Sequence, residues 1–127
     1  MAKASPYPTI PNAGAMSEFI GAFDVHSKVT DYVYHCRFSH CWNAIATRHS
    51  DTMDCKFIVD GKGAILGLAH PGFVTFRERA GRNLSDREAS YIAAEYLRGR
   101  LEQEDEHSLY DVPAADVVRI IGKLGIR

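Results

Sequence analysis

A capped amphipathic helix in the second half of the chain is the feature that most constrains its fold. Ser85 stands three residues before Glu88, the spacing of a capping box that satisfies free backbone N–H groups where a helix begins. Leu84 precedes the cap as a hydrophobic staple. The pattern predicts a helix over 86–103 that packs against another layer of structure. Its buried face recurs at helical spacing, at Ala89, Ile92, Ala93, Tyr96, Leu97 and Leu101.

A β-hairpin is predicted upstream of this helix, over about 55–69. Residues 55–60 (CKFIVD) favour a strand, and residues 64–69 (AILGLA) favour its return strand. Gly61-Lys62-Gly63 supplies glycines that adopt the positive φ of a tight turn. The return strand is apolar on both faces, which is typical of a strand covered on both sides or placed inside a sheet. Gly67 within it indicates a bulge or a close backbone approach.

The segment 29–48 carries two patterns. Its first part alternates with period two and is rich in β-forming residues, which predicts a strand near 30–38. Its second part has the spacing of a helical face, which predicts a short helix over 39–48. The residues with that spacing are Phe38, Cys41, Trp42, Ile45 and Ala46. A single helix over the whole segment is the alternative interpretation.

The complete pattern predicts an α+β fold. A small antiparallel sheet, made of the hairpin and the strand near 30–38, is packed by C-terminal helices over about 72–80, 86–103 and 113–124. Asp111 is the candidate cap of the last helix. Because two long helices cover one sheet face, the other face must be covered by residues 17–50, by a second subunit or by a ligand.

Composition and charge narrow the class of protein. The chain has 127 residues, 46% of them hydrophobic and 24% charged, which favours one globular domain over disorder. Three of its five prolines lie in residues 1–15, predicted to be a flexible tail before a single domain over 16–127. The net charge of −1 argues against a nucleic-acid partner. No apolar run approaches the ~20 residues that span a bilayer, so no membrane partner is expected.

Reactive side chains are densest in residues 35–41 (HCRFSHC). Zinc takes four nitrogen or sulfur ligands, and the candidate metal ligands are Cys36, His40, Cys41 and Cys55. The spacing contains neither a C-x2-C nor an H-x3-H pair, and cysteine commonly fills cores as a small apolar residue. A thiol nucleophile, Cys36 or Cys41 activated by His40, is the second chemical interpretation.

The leading functional expectation is a small cytoplasmic interaction or regulatory domain without catalysis or cofactor. Self-association of this domain into a homodimer is part of the expectation. Three cysteines, an odd and sparse count, favour a reducing compartment. No phosphate-binding glycine loop or nucleophile-elbow motif is present. Zinc binding or a reactive thiol is the alternative. The candidate binding residues are aromatic anchors and one histidine at the hairpin end, although the four aromatics could equally fill the core: Tyr32, Tyr34, Phe38, Trp42 and His70.

Overall fold

The computed structural model describes residues 18–127, which contain five strands and four helices. The predicted tail over 1–15 lies outside the described residues. The strands are β1 (Phe23–His26), β2 (Val33–Asn43), β3 (Thr52–Val59), β4 (Lys62–Ala69) and β5 (Leu109–Val112). The helices are α1 (Ile45–Arg48), α2 (His70–Ala80), α3 (Asp86–Glu102) and α4 (Ala114–Leu124).

The five strands form one sheet in the order β1-β2-β3-β4-β5. Neighbours from β1 to β4 are antiparallel, and β5 pairs with β4 in parallel. The parallel pair is possible because α2 and α3 form the crossover between β4 and β5. The predicted α+β fold is confirmed, with its hairpin (β3 and β4), the strand predicted near 30–38 (β2) and the three C-terminal helices. The sheet is mixed rather than purely antiparallel, and Asp111 lies in β5 instead of capping α4.

The hairpin turn between β3 and β4 is Asp60-Gly61. Both residues have positive φ, 50° and 82°, as a two-residue hairpin loop that follows the strand twist requires. Val59 pairs with Lys62 across the turn. The turn therefore starts one residue earlier than the glycine spacing predicted, and Gly63 is a residue of β4.

A register shift in β2 corrects the prediction of a helix over 39–48, and with it the single-helix alternative. Phe38 pairs with Phe57, whereas His40 pairs with Lys56, so Ser39 is the extra residue of a bulge. The strand continues to Asn43, and α1 contains only Ile45–Arg48. The bulge places Phe38 and Cys41, three residues apart, on the same sheet face, which produces the helical spacing in the sequence.

The core lies between one face of the sheet and the three longer helices. Helix α3 contacts β1 to β4, while α2 and α4 contact each other and β4. The capping box forms as predicted: the Glu88 N–H donates to Ser85 Oγ at 3.1 Å, and the Ser85 N–H donates to Glu88 Oε1 at 2.9 Å. The predicted stripe of α3 is fully buried, except for the half-buried Tyr96.

Candidate functional site

The sheet face opposite α2, α3 and α4 is the candidate site. Side chains on this side alternate with core residues along each strand, and except for Thr52 and Asp54 they are exposed or half-buried. We call it the open face, and its exposed or half-buried residues include Asp24, His35, Arg37, His40, Trp42, Lys56, Ile58, Ile65, Leu109 and Asp111.

The centre of the open face combines cationic and apolar side chains. Arg37 lies opposite Ile58 across the β2–β3 ladder, and Lys56 lies between His40 of β2 and Ile65 of β4. Lys56 reaches across β4, because its Cε is 3.1 Å from the position of a Cβ built on Gly63. Within residues 18–127, no carboxylate pairs with Arg37 or Lys56. Two positive charges therefore stand among half-buried isoleucines without partners from the described chain.

A cavity of about 370 Å³ lies at one end of the open face. The His35 Nδ1 and Asp24 Oδ1 atoms that border it are 2.8 Å apart. This hydrogen bond and the Asp24 charge raise the pKa of His35 above its usual value. Arg37 and Ile58 line the same cavity, so it continues into the centre of the face. Its volume and mixed lining are typical of a small binding pocket.

The Asp60 carboxylate fixes the hairpin end of this cavity. It accepts a hydrogen bond from the Tyr32 hydroxyl at 2.6 Å and one from the His35 backbone N–H at 2.9 Å. The bond to Asp60 is the largest cause that raises the pKa of Tyr32 to about 12. The Asp24 and Asp60 carboxylates are therefore both hydrogen-bonded to neighbouring groups, and neither is an unpaired negative charge at this end of the cavity.

A buried polar network closes the other end of the open face. The Asp54 side chain is completely buried and accepts from Arg48 Nε at 2.8 Å and Arg48 Nη2 at 2.9 Å. Thr52 Oγ1 donates to the same carboxylate at 2.8 Å. A Cβ added to Gly67 would lie 2.5 Å from Arg48 Nη2, so Gly67 leaves room for a side chain, and the predicted bulge or close backbone approach at Gly67 is corrected. This network holds α1 against the sheet.

Trp42 occupies the border between this network and the centre. Its indole Nε1–H donates to Thr47 Oγ1 at 3.0 Å, and its ring centroid is 4.8 Å from that of His40. Trp42 is half-buried, so part of its ring is presented to solvent. A rigid aromatic side chain therefore borders the cationic centre.

The structure brings only part of the predicted Cys/His cluster together. Cys41 and Cys55 are direct cross-strand partners, and both face the helices. Cys36 pairs with Val59, further along the same ladder, and His40 points to the open face. Among residues 18–127, no group of three or more His, Cys, Asp or Glu side chains is placed to hold a metal ion. Zinc binding by these four residues stays a prediction of the sequence.

The predicted aromatic anchors divide between the two faces. Tyr34 is buried in the core, and the half-buried Phe38 stacks on Phe19 at 5.2 Å. Tyr32 is 50% exposed beside the hairpin turn. Of the four aromatics, only Trp42 belongs to the open face.

His70 begins α2, away from the open face. Its Nδ1 is 2.7 Å from Asp51 Oδ1, and it borders a cavity of about 280 Å³ that includes Phe73 and Arg77. His70 therefore has both a local hydrogen bond and a neighbouring cavity, and its role in binding stays a prediction.

Sequence reasoning missed Arg37, Lys56 and the Asp24–His35 pair. A signal existed for Lys56 and Ile58, because they alternate with the core residues of β3. No local pattern marks Asp24 and His35, which meet only through the β1–β2 register.

No family model, curated protein or solved structure matches this chain. Within the described part of the chain, no helix combines the length and the apolar character needed to cross a lipid bilayer.

Proposed function

We propose that this protein is a non-catalytic interaction domain whose open face binds an extended acidic segment of a partner protein. The observation that carries the proposal is the pair of cationic side chains, Arg37 and Lys56, which have no carboxylate partner in residues 18–127 and stand among half-buried apolar residues.

The chemistry of the face favours a partner that supplies both carboxylates and apolar side chains. Carboxylates would pair with Arg37 and Lys56, and Arg in particular offers a planar fork that accepts two hydrogen bonds from one carboxylate. Ile58, Ile65 and Trp42 would bury apolar side chains from the same segment, and aromatic residues often anchor such contacts. An extended segment fits because its side chains at every second position point to the same side, so a carboxylate and an apolar side chain two residues apart both reach the open face.

The charge distribution favours a different protein over a second copy paired symmetrically through this face. A two-fold interface places the same patch of each copy against itself. Pairing the open face in this way would bring the Arg37 and Lys56 side chains of both copies together, and like charges in contact are unfavourable. A homodimer built through another surface is an outcome that the experiment below distinguishes.

The test is binding of a fluorescein-labelled peptide in which glutamate and leucine alternate at every second position, with serine between them, so that both residue types point to the same side of an extended chain. Fluorescence anisotropy would compare wild type with Arg37→Glu and Lys56→Glu. Each reversal removes one attraction and adds one repulsion, so we expect affinity to fall roughly fivefold or more, about 1 kcal/mol. Added salt should weaken wild-type binding because exposed charges are screened.

Arg79→Glu is the matched control. Arg79 is exposed on α2, and its reversal changes net charge by the same amount as the Arg37 reversal. We expect this variant to bind like wild type. A peptide with glutamine in place of glutamate should bind weakly.

Equal loss of affinity in the Arg79 and Arg37 variants would refute the open face as the site. Absence of peptide binding, together with a concentration-dependent dimer in light scattering, would support self-association instead.

A further inference from the structure

Cys41 and Cys55 lie directly opposite each other on β2 and β3, on the side of the sheet that faces α3. We propose that these two thiols form a reversible cross-strand disulfide, so that the pair is an oxidation site whose oxidant is a small hydroperoxide. The inference depends on the β2–β3 register and is independent of the proposed binding function.

The backbone pairing gives the separation that a disulfide needs. The Ala44 N–H donates to the Thr52 carbonyl at 2.9 Å, which marks Ala44 and Thr52 as a hydrogen-bonded pair. Pair types alternate along an antiparallel ladder, so Cys41 and Cys55, three positions away, form a non-hydrogen-bonded pair. Cα atoms in such pairs are about 4.5 Å apart, and disulfides join Cα atoms roughly 4.4–6.8 Å apart.

The two thiols are neighbours on one face of the sheet. All three cysteines are free, and Cys41 and Cys55 occupy opposite positions of the β2–β3 ladder. Cys55 is fully buried, and its Sγ also lies 3.9 Å from the Ala89 carbonyl oxygen of α3. Cys41 is half-buried, so a small oxidant reaches it first.

Their exposure assigns different roles to the two thiols. Cys41 is half-buried, whereas Cys55 is fully buried against α3. Cys41 is therefore the nucleophile, and Cys55 is the thiol that completes the bond. Cys36 is buried opposite Val59 with a pKa raised to about 12, mainly by burial, and takes no part.

The oxidation proceeds in two balanced steps. The Cys41 thiolate attacks the terminal peroxide oxygen, an S–O bond forms and the O–O bond breaks; the released hydroxide, or the alkoxide of an organic hydroperoxide, takes a proton to become water or an alcohol. Cys55 then loses its proton and attacks Cys41 Sγ, so the S–S bond forms and the sulfenic hydroxyl leaves as water. Two thiols are oxidised while one peroxide is reduced. A small dithiol reverses the reaction by thiol–disulfide exchange.

The test uses the purified full chain treated with hydrogen peroxide and then alkylated under denaturing conditions. Intact-mass spectrometry should show three alkylated thiols before treatment, one after it, and three again after dithiothreitol. Peptide mapping should identify the Cys41–Cys55 linkage.

Cys36→Ala is the matched control, and it should still lose two thiols on oxidation. Cys41→Ala and Cys55→Ala should form no internal disulfide, and Cys55→Ala should retain a dimedone-reactive sulfenic acid at Cys41.

Three alkylatable thiols after peroxide, or a disulfide that includes Cys36 or joins two chains, would overturn the proposal. The wild-type peptide map gives this answer even if a core variant fails to fold.

Discussion

The ion pair between Arg48 and Asp54 should be strongly coupled in a double-mutant cycle. Asp54 is fully buried, whereas the Arg48 side chain is 30% exposed. Removing one partner of a buried pair costs about 3–5 kcal/mol, because the remaining charge is left buried. The partial exposure of Arg48 and the remaining Thr52 hydrogen bond place Arg48→Ala near the lower end of that range.

The coupling energy follows from these two costs. Once Asp54 is removed, Arg48 turns to solvent and its further truncation costs only about 1 kcal/mol, so the double variant loses about 4 kcal/mol. We therefore expect about 3 kcal/mol for each single alanine variant and a coupling of about 2 kcal/mol in the double variant. Urea unfolding followed by far-UV circular dichroism gives each free energy of unfolding by linear extrapolation.

The exposed pair Arg119–Asp116 on α4 provides the matched control. Its atoms are 3.4 Å apart and its side chains are 60% and 35% exposed. A coupling of roughly 0.3 kcal/mol is expected for such a pair. If the Arg48 and Asp54 costs add within about 0.5 kcal/mol, the two side chains do not form the network described, and the reasoning fails.

Three further predictions concern α3 and the cavity. Ser85→Ala removes the capping hydroxyl and should lower the free energy of unfolding by about 1 kcal/mol, measured in urea. Burial raises the pKa of Glu88, but hydrogen bonds from Arg82 and Ser85 outweigh burial, so the pKa in the folded protein is lowered. The ionised Glu88 side chain therefore contributes its full stabilisation above the unfolded-state pKa of about 4.3, and this stabilisation is lost as pH falls through the lower folded-state pKa. The stability difference between wild type and Glu88→Gln should shrink between about pH 6 and about pH 3, and a constant difference would contradict this. Asp24→Asn should lower the pKa of His35 toward its usual value in an NMR titration, and an unchanged pKa would show that their hydrogen bond is not maintained in solution.

The sequence identified α3 and the hairpin because local signals and tertiary structure agree there. The cap at Ser85, the staple at Leu84 and the apolar stripe all describe one helix, and the structure contains each of them. The glycines near 61–63 located the hairpin, but which residues took positive φ was decided by the pairing of Val59 with Lys62.

The error over 39–48 has a physical cause. A bulge adds one residue to a strand and changes the phase of its alternation, so core residues on either side become three apart instead of two. Phe38 and Cys41 show this spacing, which is also that of a helix. Strand β5 was missed because its four residues, Leu109–Val112, are defined by parallel pairing with distant β4 rather than by a local pattern.

The open face could be predicted only in part. Alternation within β3 separates Lys56 from the core residues, and this much is local. Its alignment with Arg37 and His40 depends on the bulge, and the Asp24–His35 pair depends on the β1–β2 register. Register is fixed by the assembled sheet, so contacts across strands are not contained in any short segment.

The most direct test of the account is an NMR titration of ¹⁵N-labelled protein with the glutamate–leucine peptide. Binding at the open face predicts amide shift changes concentrated at Arg37, His40, Lys56 and Ile58, with α2 and α4 unchanged. Shift changes confined to the helices, or no changes at peptide concentrations that saturate the anisotropy signal, would contradict binding at the open face.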